Sequence, residues 1–192
     1  MGEFGDAGPA LGRAHSDFFS GSHRLVRRYI HKDNQSTHIQ RPTAPAVFAA
    51  AIMIAAKIPL MLLAFFYSAT ASFVTSKDGT QIWAEAQGNP ANPAVVWLHG
   101  IFSSSVVFDK LFEDQTYLDA LYMVRYDIRG LGQSGKPGDA PSYASERFAE
   151  DFDAVVQAFK LNKPVVAGWS FGGSICADIT TSHGAGYLAS CI

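Results

Sequence analysis

Cysteine is scarce in this chain. Cys176 and Cys191 are the only two in 192 residues, and neither a C-x-x-C pair nor a histidine cluster accompanies them. That excludes a disulfide-stapled scaffold and a structural zinc site. An excess of one charge is lacking as well: 15 Lys and Arg stand against 17 Asp and Glu, a formal net charge of −2. A nucleic-acid binder needs a clear basic excess for its phosphate contacts, so that class falls away. Charged residues make up only 17% of the chain while 48% is apolar and 12% aromatic, the reverse of a mostly disordered composition. Internal repeats are absent. What remains is one mixed globular domain with a segment appended to it.

Residues 1–45 show no sustained helical or strand period. They are rich in Gly, Ser, His and Pro, and carry Arg24, Arg27, Arg28, Lys32 and Arg41. This is the pattern of a flexible, solvated basic arm. Residues 46–67 are apolar apart from Lys57, and such a run matches the roughly 20 residues that cross a bilayer as a helix. The basic residues ahead of it would keep the arm cytoplasmic. The same stretch also divides as a secretory leader. Met53 to Lys57 forms a short positive start, residues 58–67 an apolar centre, and Ala69-Thr70-Ala71 a small-residue cleavage site. A helix buried against the domain is the third option, since a lysine at the centre of a bilayer costs about 2.5–3.5 kcal/mol. The expectation is a hydrophobic leader over residues 46–71. It would make the protein membrane-associated in a single pass, or secreted after cleavage near Ala71, with a domain over residues 72–192.

From Ser72 onward short strand-forming runs alternate with turns. Lys77-Asp78-Gly79 breaks the first run in the manner of a hairpin. Ala94 to Leu98 is continuously apolar, as a strand buried on both faces must be. Tyr122 to Tyr126 and Pro164 to Ala167 are further strand candidates, and residues 187–192 a last one. Between them Phe148, Phe152, Val155, Val156 and Phe159 recur at helical spacing, with Ser145 in the N-cap position and Glu146 in the first turn. Strand and helix alternate, which implies a doubly wound, mainly parallel sheet.

The most specific feature is Gly168-Trp169-Ser170-Phe171-Gly172, followed by Gly173. It joins an apolar strand to a helix-forming stretch over residues 171–182, the context of a nucleophile elbow. So tight a turn requires small neighbours, hence Gly168 and Gly172, and it lifts the Ser170 hydroxyl clear of the backbone. The helix start supplies unpaired N–H groups and positive potential for developing negative charge.

Two further motifs accompany it. His99-Gly100-Ile101-Phe102 follows the strand ending at Leu98, and Asp127-Ile128-Arg129-Gly130-Leu131-Gly132-Gln133-Ser134 follows the next. With these three motifs in this order, the chain from about Phe73 onward resembles the α/β-hydrolase superfamily, in its serine-nucleophile branch. The resemblance implies an α/β-hydrolase-type sheet, broken off after about the sixth strand. It implies Ser170 as nucleophile, with oxyanion-hole N–H groups from Phe171 and from Ile101 or Phe102; two such donors are worth several kcal/mol. It makes His99, Gly100, Asp127, Arg129 and Gly130 shapers of the loops rather than catalysts. The serine separates this chain from members with an aspartate at the elbow, the epoxide hydrolases and haloalkane dehalogenases. Neither a metal nor an organic cofactor is implied, and the expected partner is a small-molecule or lipid-like ester.

The serine needs an acid and a base, which in this fold follow it in chain order. Asp178 and His183 have that order. A helix starting at Phe171, however, carries them roughly 12 and 20 Å along its axis, away from the elbow. Neither is a triad member. The expectation is a serine hydrolase without its acid and base, or alternatively an inactive truncated or membrane-tethered product.

Overall fold

The structure, a computed structural model, describes residues 70–192. The basic arm of residues 1–45 and the apolar stretch of residues 46–67 lie outside the described residues. Six strands form one sheet in the order β1-β2-β4-β3-β5-β6. They are β1 (Thr70–Thr75), β2 (Gln81–Gly88), β3 (Ala94–Leu98), β4 (Tyr122–Tyr126), β5 (Val165–Gly168) and β6 (Ser190–Cys191). The hairpin expected at residues 77–79 joins β1 to β2, and Thr70 and Ala71 already pair with Ala86 and Glu85. β2 runs antiparallel to β4, while β4, β3, β5 and β6 are mutually parallel. The sheet is therefore mixed and mostly parallel, as the alternation of strand and helix implies.

Helices α1 (Asp109–Phe112), α2 (Gln115–Ala120), α3 (Ser145–Ala158) and α4 (Phe171–His183) complete the described domain. Side chains alternate across a strand, and the core divides accordingly. Val96 and Leu98 of β3 join a cluster with Val124, Phe152, Val155, Ile175 and Ile179 under α3 and α4. Val95 and Trp97, one residue out of phase, join Phe108, Leu111, Phe112, Tyr117 and Met123 under α1 and α2. Burial on both faces explains why β3 reads as an unbroken apolar run.

Three local expectations are corrected. Ser145 is the first residue of α3 rather than its cap; Ala144 holds that position with no side-chain cap bond. The last strand narrows from residues 187–192 to Ser190–Cys191. Tyr187 instead donates its hydroxyl to Asp153 at 2.6 Å and sets its ring edge against Phe152. The two cysteines, too few for a stapled scaffold, do form one disulfide, tying α4 through Cys176 to β6 through Cys191.

Candidate active site

The elbow is built by backbone contact. A Cβ on Gly168 would lie 2.5 Å from the carbonyl carbon and oxygen of Gly172, and one on Gly172 would strike the Leu98 carbonyl. No side chain fits at either position, so the turn packs directly against β3. Trp169 donates its N–H to the Leu98 carbonyl at 2.9 Å, locking the elbow to the end of that strand. Ser170 sits at φ 55°, ψ −113°, a strained conformation for a residue with a Cβ. It is exposed.

The loop after β3 lies beside it. A Cβ on Gly100 would come within 3.4 Å of Ser170 Cβ. Ile101 and Phe102 follow, and Phe102 is held at φ 58° and is 91% exposed. Among the described residues the N–H groups of Ile101, Phe102 and Phe171 find no protein acceptor. Ile101, Phe102 and Phe171 line one cavity, and the loop that carries the first two meets Ser170 at Gly100.

His99 is buried and committed at both nitrogens. Nδ1 lies 2.8 Å from the Gly100 carbonyl, which only accepts, so the proton belongs on Nδ1; Nε2 accepts the Ile128 N–H at 3.0 Å. Burial holds its pKa below the ordinary histidine value, against the opposing pull of the Gly100 bond and nearby Asp127. The ring is a neutral strut between two loops. Asp127 is a second strut: its two oxygens accept the N–H groups of Ser105 and Gln133, each at 2.7 Å. Gly132, at φ 49°, is the residue that lets the loop close on that carboxylate, where a Cβ would collide with it. Ser134 finishes the motif, donating to the Asp127 carbonyl at 2.5 Å and accepting the Trp83 N–H at 3.0 Å.

Arg129 is buried with every donor used. Nε and Nη2 grip Asp151 at 2.7 and 2.6 Å, and Nη1 reaches Asp78 at 2.8 Å and the Ser142 carbonyl at 2.6 Å. Nη2 also meets Ser76 at 3.3 Å. Gly130 packs on the Tyr143 ring, 2.8 Å from where its Cβ would be. These residues shape the loop, and nothing here gives them a reacting atom to touch.

Asp178 and His183 stay apart from the serine. His183 closes α4, at the end opposite the elbow, where its Nε2 lies 3.0 Å from Asp153 and its ring stacks on Tyr187 at 4.1 Å. Among the described residues no group of three or more His, Cys, Asp or Glu is placed to hold a metal ion. One feature has no counterpart in the motif reading: a cavity of about 510 Å³ alongside the loop and α4, bounded by Phe102, Tyr143, Phe148, Phe171 and Asp178. Its only trace in the sequence is the spacing of Phe171, Ser174 and Asp178 on one helix face.

Comparison with known proteins converges on one fold. Residues 93–182 match the family described as alpha/beta hydrolase fold. Over 92 residues the chain is 38% identical to the probable oxidoreductase EphD of Mycobacterium tuberculosis (strain ATCC 25618 / H37Rv), covering 48% of this chain and 15% of that protein. Among solved structures, the esterase RhEst1 from Rhodococcus sp. ECU1013 superposes with a TM-score of 0.54 at 29% identity, over 63% of this chain and 44% of that one. Epoxide Hydrolase A from Mycobacterium thermoresistibile gives 0.58 over 65% and 38%, at 18% identity, a likeness of fold alone. The chain spans less than half the length of each of these proteins.

Proposed function

We propose that the chain, whose residues 93–182 match the alpha/beta hydrolase fold family, is a serine hydrolase acting on ester-like bonds through an acyl-enzyme on Ser170. One observation carries the reading: an exposed serine, strained at the start of α4, faces a loop whose N–H groups lack protein acceptors. The presence of an esterase among its structural relatives supports the reading. The Ser170 oxygen attacks the ester carbonyl carbon and the carbonyl oxygen takes up negative charge. The N–H groups of Phe171 and of Ile101 or Phe102 hold that oxyanion. The carbonyl re-forms as the alcohol leaves with a proton, and water then releases the acid from the serine. His99 and His183 are both committed elsewhere, so the base that takes the Ser170 proton is a histidine outside the described residues. A chain without such a base would bind ester and turn it over weakly, the second reading that those two histidines favour.

The test is to incubate the full chain with p-nitrophenyl acetate and locate the acetyl group by peptide mass spectrometry. Acetylation confined to the peptide holding Ser170, and lost in Ser170→Ala, is the expected result. Labelling that survives the substitution, or none at all, would overturn it. Serine hydrolases stripped of triad members keep roughly 10³–10⁴-fold catalysis over water, so slow release of p-nitrophenol distinguishes the second reading from the first.

A further inference from the structure

We propose that the cavity lined by Phe171, the residue after Ser170, receives the apolar arm of an ester whose far end carries an ammonium group. This rests on the serine-hydrolase reading and adds the substrate class. At about 510 Å³ the cavity is sized for a small molecule. One wall is a stripe of α4: Phe171, Ser174 and Asp178 stand at i, i+3 and i+7, on one helix face. At ~1.5 Å per residue that stripe runs about 10 Å from the elbow end to Asp178.

The walls are aromatic. Phe148 and Phe171 meet edge to face with centroids 5.4 Å apart, Tyr143 lines the same cavity, and so does the exposed Phe102. Aromatic faces carry negative potential and attract cations. At the far end lies Asp178, a half-buried carboxylate that makes no hydrogen bond or ion pair among the described residues. The cavity's basic residue, Arg129, cannot balance it, because its five N–H groups are taken by Asp151, Asp78, Ser76 and the Ser142 carbonyl. Among the described residues the lining therefore presents one uncompensated negative charge and no free positive one. A carboxylate entering here would lose water and gain no partner. An ammonium would exchange water for aromatic faces and Asp178, with its ester carbonyl left at the Ser170 end.

Three probes that share a phenylbutyl arm test this, none of them an ester, so that binding is read apart from Ser170 chemistry: phenylbutyl-trimethylammonium, its uncharged tert-butyl isostere, and phenylpentanoate. Each is titrated into the full chain by NMR. The ammonium should bind about threefold to tenfold tighter than the isostere, and the carboxylate weakest of the three. Asp178→Asn should bring the ammonium-to-isostere ratio close to one, and Asp178→Glu should restore a preference. No binding of any probe, a preference for the carboxylate, or a ratio unchanged in Asp178→Asn would overturn the proposal. Loss of Ser170 acetylation in the separate p-nitrophenyl acetate experiment bears on the serine reading alone.

Discussion

Gly100 and Ser170 meet where β3 and β5 end side by side: a Cβ on Gly100 would lie 3.4 Å from Ser170 Cβ and 3.4 Å from the Trp169 ring. The parallel register pairs Leu98 with Gly168, one residue before the His-Gly turn and two before the serine. Adjacent strand ends thus set the His-Gly loop against the elbow by direct backbone contact. Where the backbones pack this closely, the glycines are weak points.

That makes two neighbouring glycines behave differently. Gly172→Ala would drive a methyl into the Leu98 carbonyl and within 2.7 Å of Leu98 Cβ, and overpacking of this kind costs about 1–3 kcal/mol. At Gly173 the nearest atom is 3.6 Å away, and alanine gains about 0.5–1 kcal/mol inside a helix. Urea denaturation should show Gly172→Ala clearly destabilised, with reduced Ser170 acetylation, and Gly173→Ala as stable as the parent or more so. Equal effects at the two positions would contradict the packing argument.

Asp127→Asn offers a second test. The carboxylate accepts N–H groups at both oxygens, whereas an amide has one oxygen and must turn its NH₂ against the other donor. Leaving a buried donor unsatisfied costs about 1–3 kcal/mol. Ser105 anchors the stretch just after Phe102, so the acylation rate should fall together with stability. A variant matching the parent in both measurements would remove Asp127 from the loop's support.

Much of this was legible in the chain because the constraints are local. β3 appears with the bounds its apolar run suggests, and the elbow glycines mark contacts that no other residue allows. Order of motifs along the chain carried the sheet type. Less visible was anything depending on distant partners. Ser145 looks like a cap, but the chain reaches α3 from a 3₁₀ turn over Ala140–Tyr143, and Ala144 takes the cap position. Tyr187 looks like a strand residue, yet its hydroxyl is drawn to Asp153, 34 residues earlier. The cavity wall over Phe171, Ser174 and Asp178 is hidden in a helix that is apolar on its other side.

His99 predicts a pH dependence whose sign follows from burial. Its folded pKa lies below the ordinary value of about 6.5, because burial disfavours the charged ring. The unfolded chain takes up a proton below that pH and the folded one resists. Stability is therefore fully present above about 6.5 and falls as the pH drops below it, by at most about 1.4 kcal/mol per unit. Asp78 contributes at lower pH. Burial would raise its pKa, but hydrogen bonds from Arg129 and Thr80 outweigh that and hold it well below the usual carboxylate range. Its contribution is lost only under stronger acid. Urea midpoints at pH 7 and pH 5 should differ for the parent and converge for His99→Gln; equal slopes in the two proteins would acquit the histidine.

The disulfide links stability to compartment. Cys176 and Cys191 close a loop of 15 residues, and constraining a loop of that size in the unfolded chain is worth about 3 kcal/mol. Across a domain of this size that amounts to about 10 °C in melting temperature. Such bonds form and persist in oxidising surroundings, so the benefit exists only if the domain leaves the reducing cytoplasm. The leader expected over residues 46–71 would take it there, which joins two independent features of the chain in one prediction. Express the full chain with a C-terminal tag, locate the tag, sequence the N-terminus, and map the cysteines under non-reducing conditions. The tag should lie outside the cytoplasm with the pair oxidised, and Cys191→Ser or a thiol reductant should lower the melting temperature by about the stated amount. A cytoplasmic product that retains Met1, with both cysteines reduced and a melt indifferent to reductant, would defeat both the export and the stabilising role of the bond.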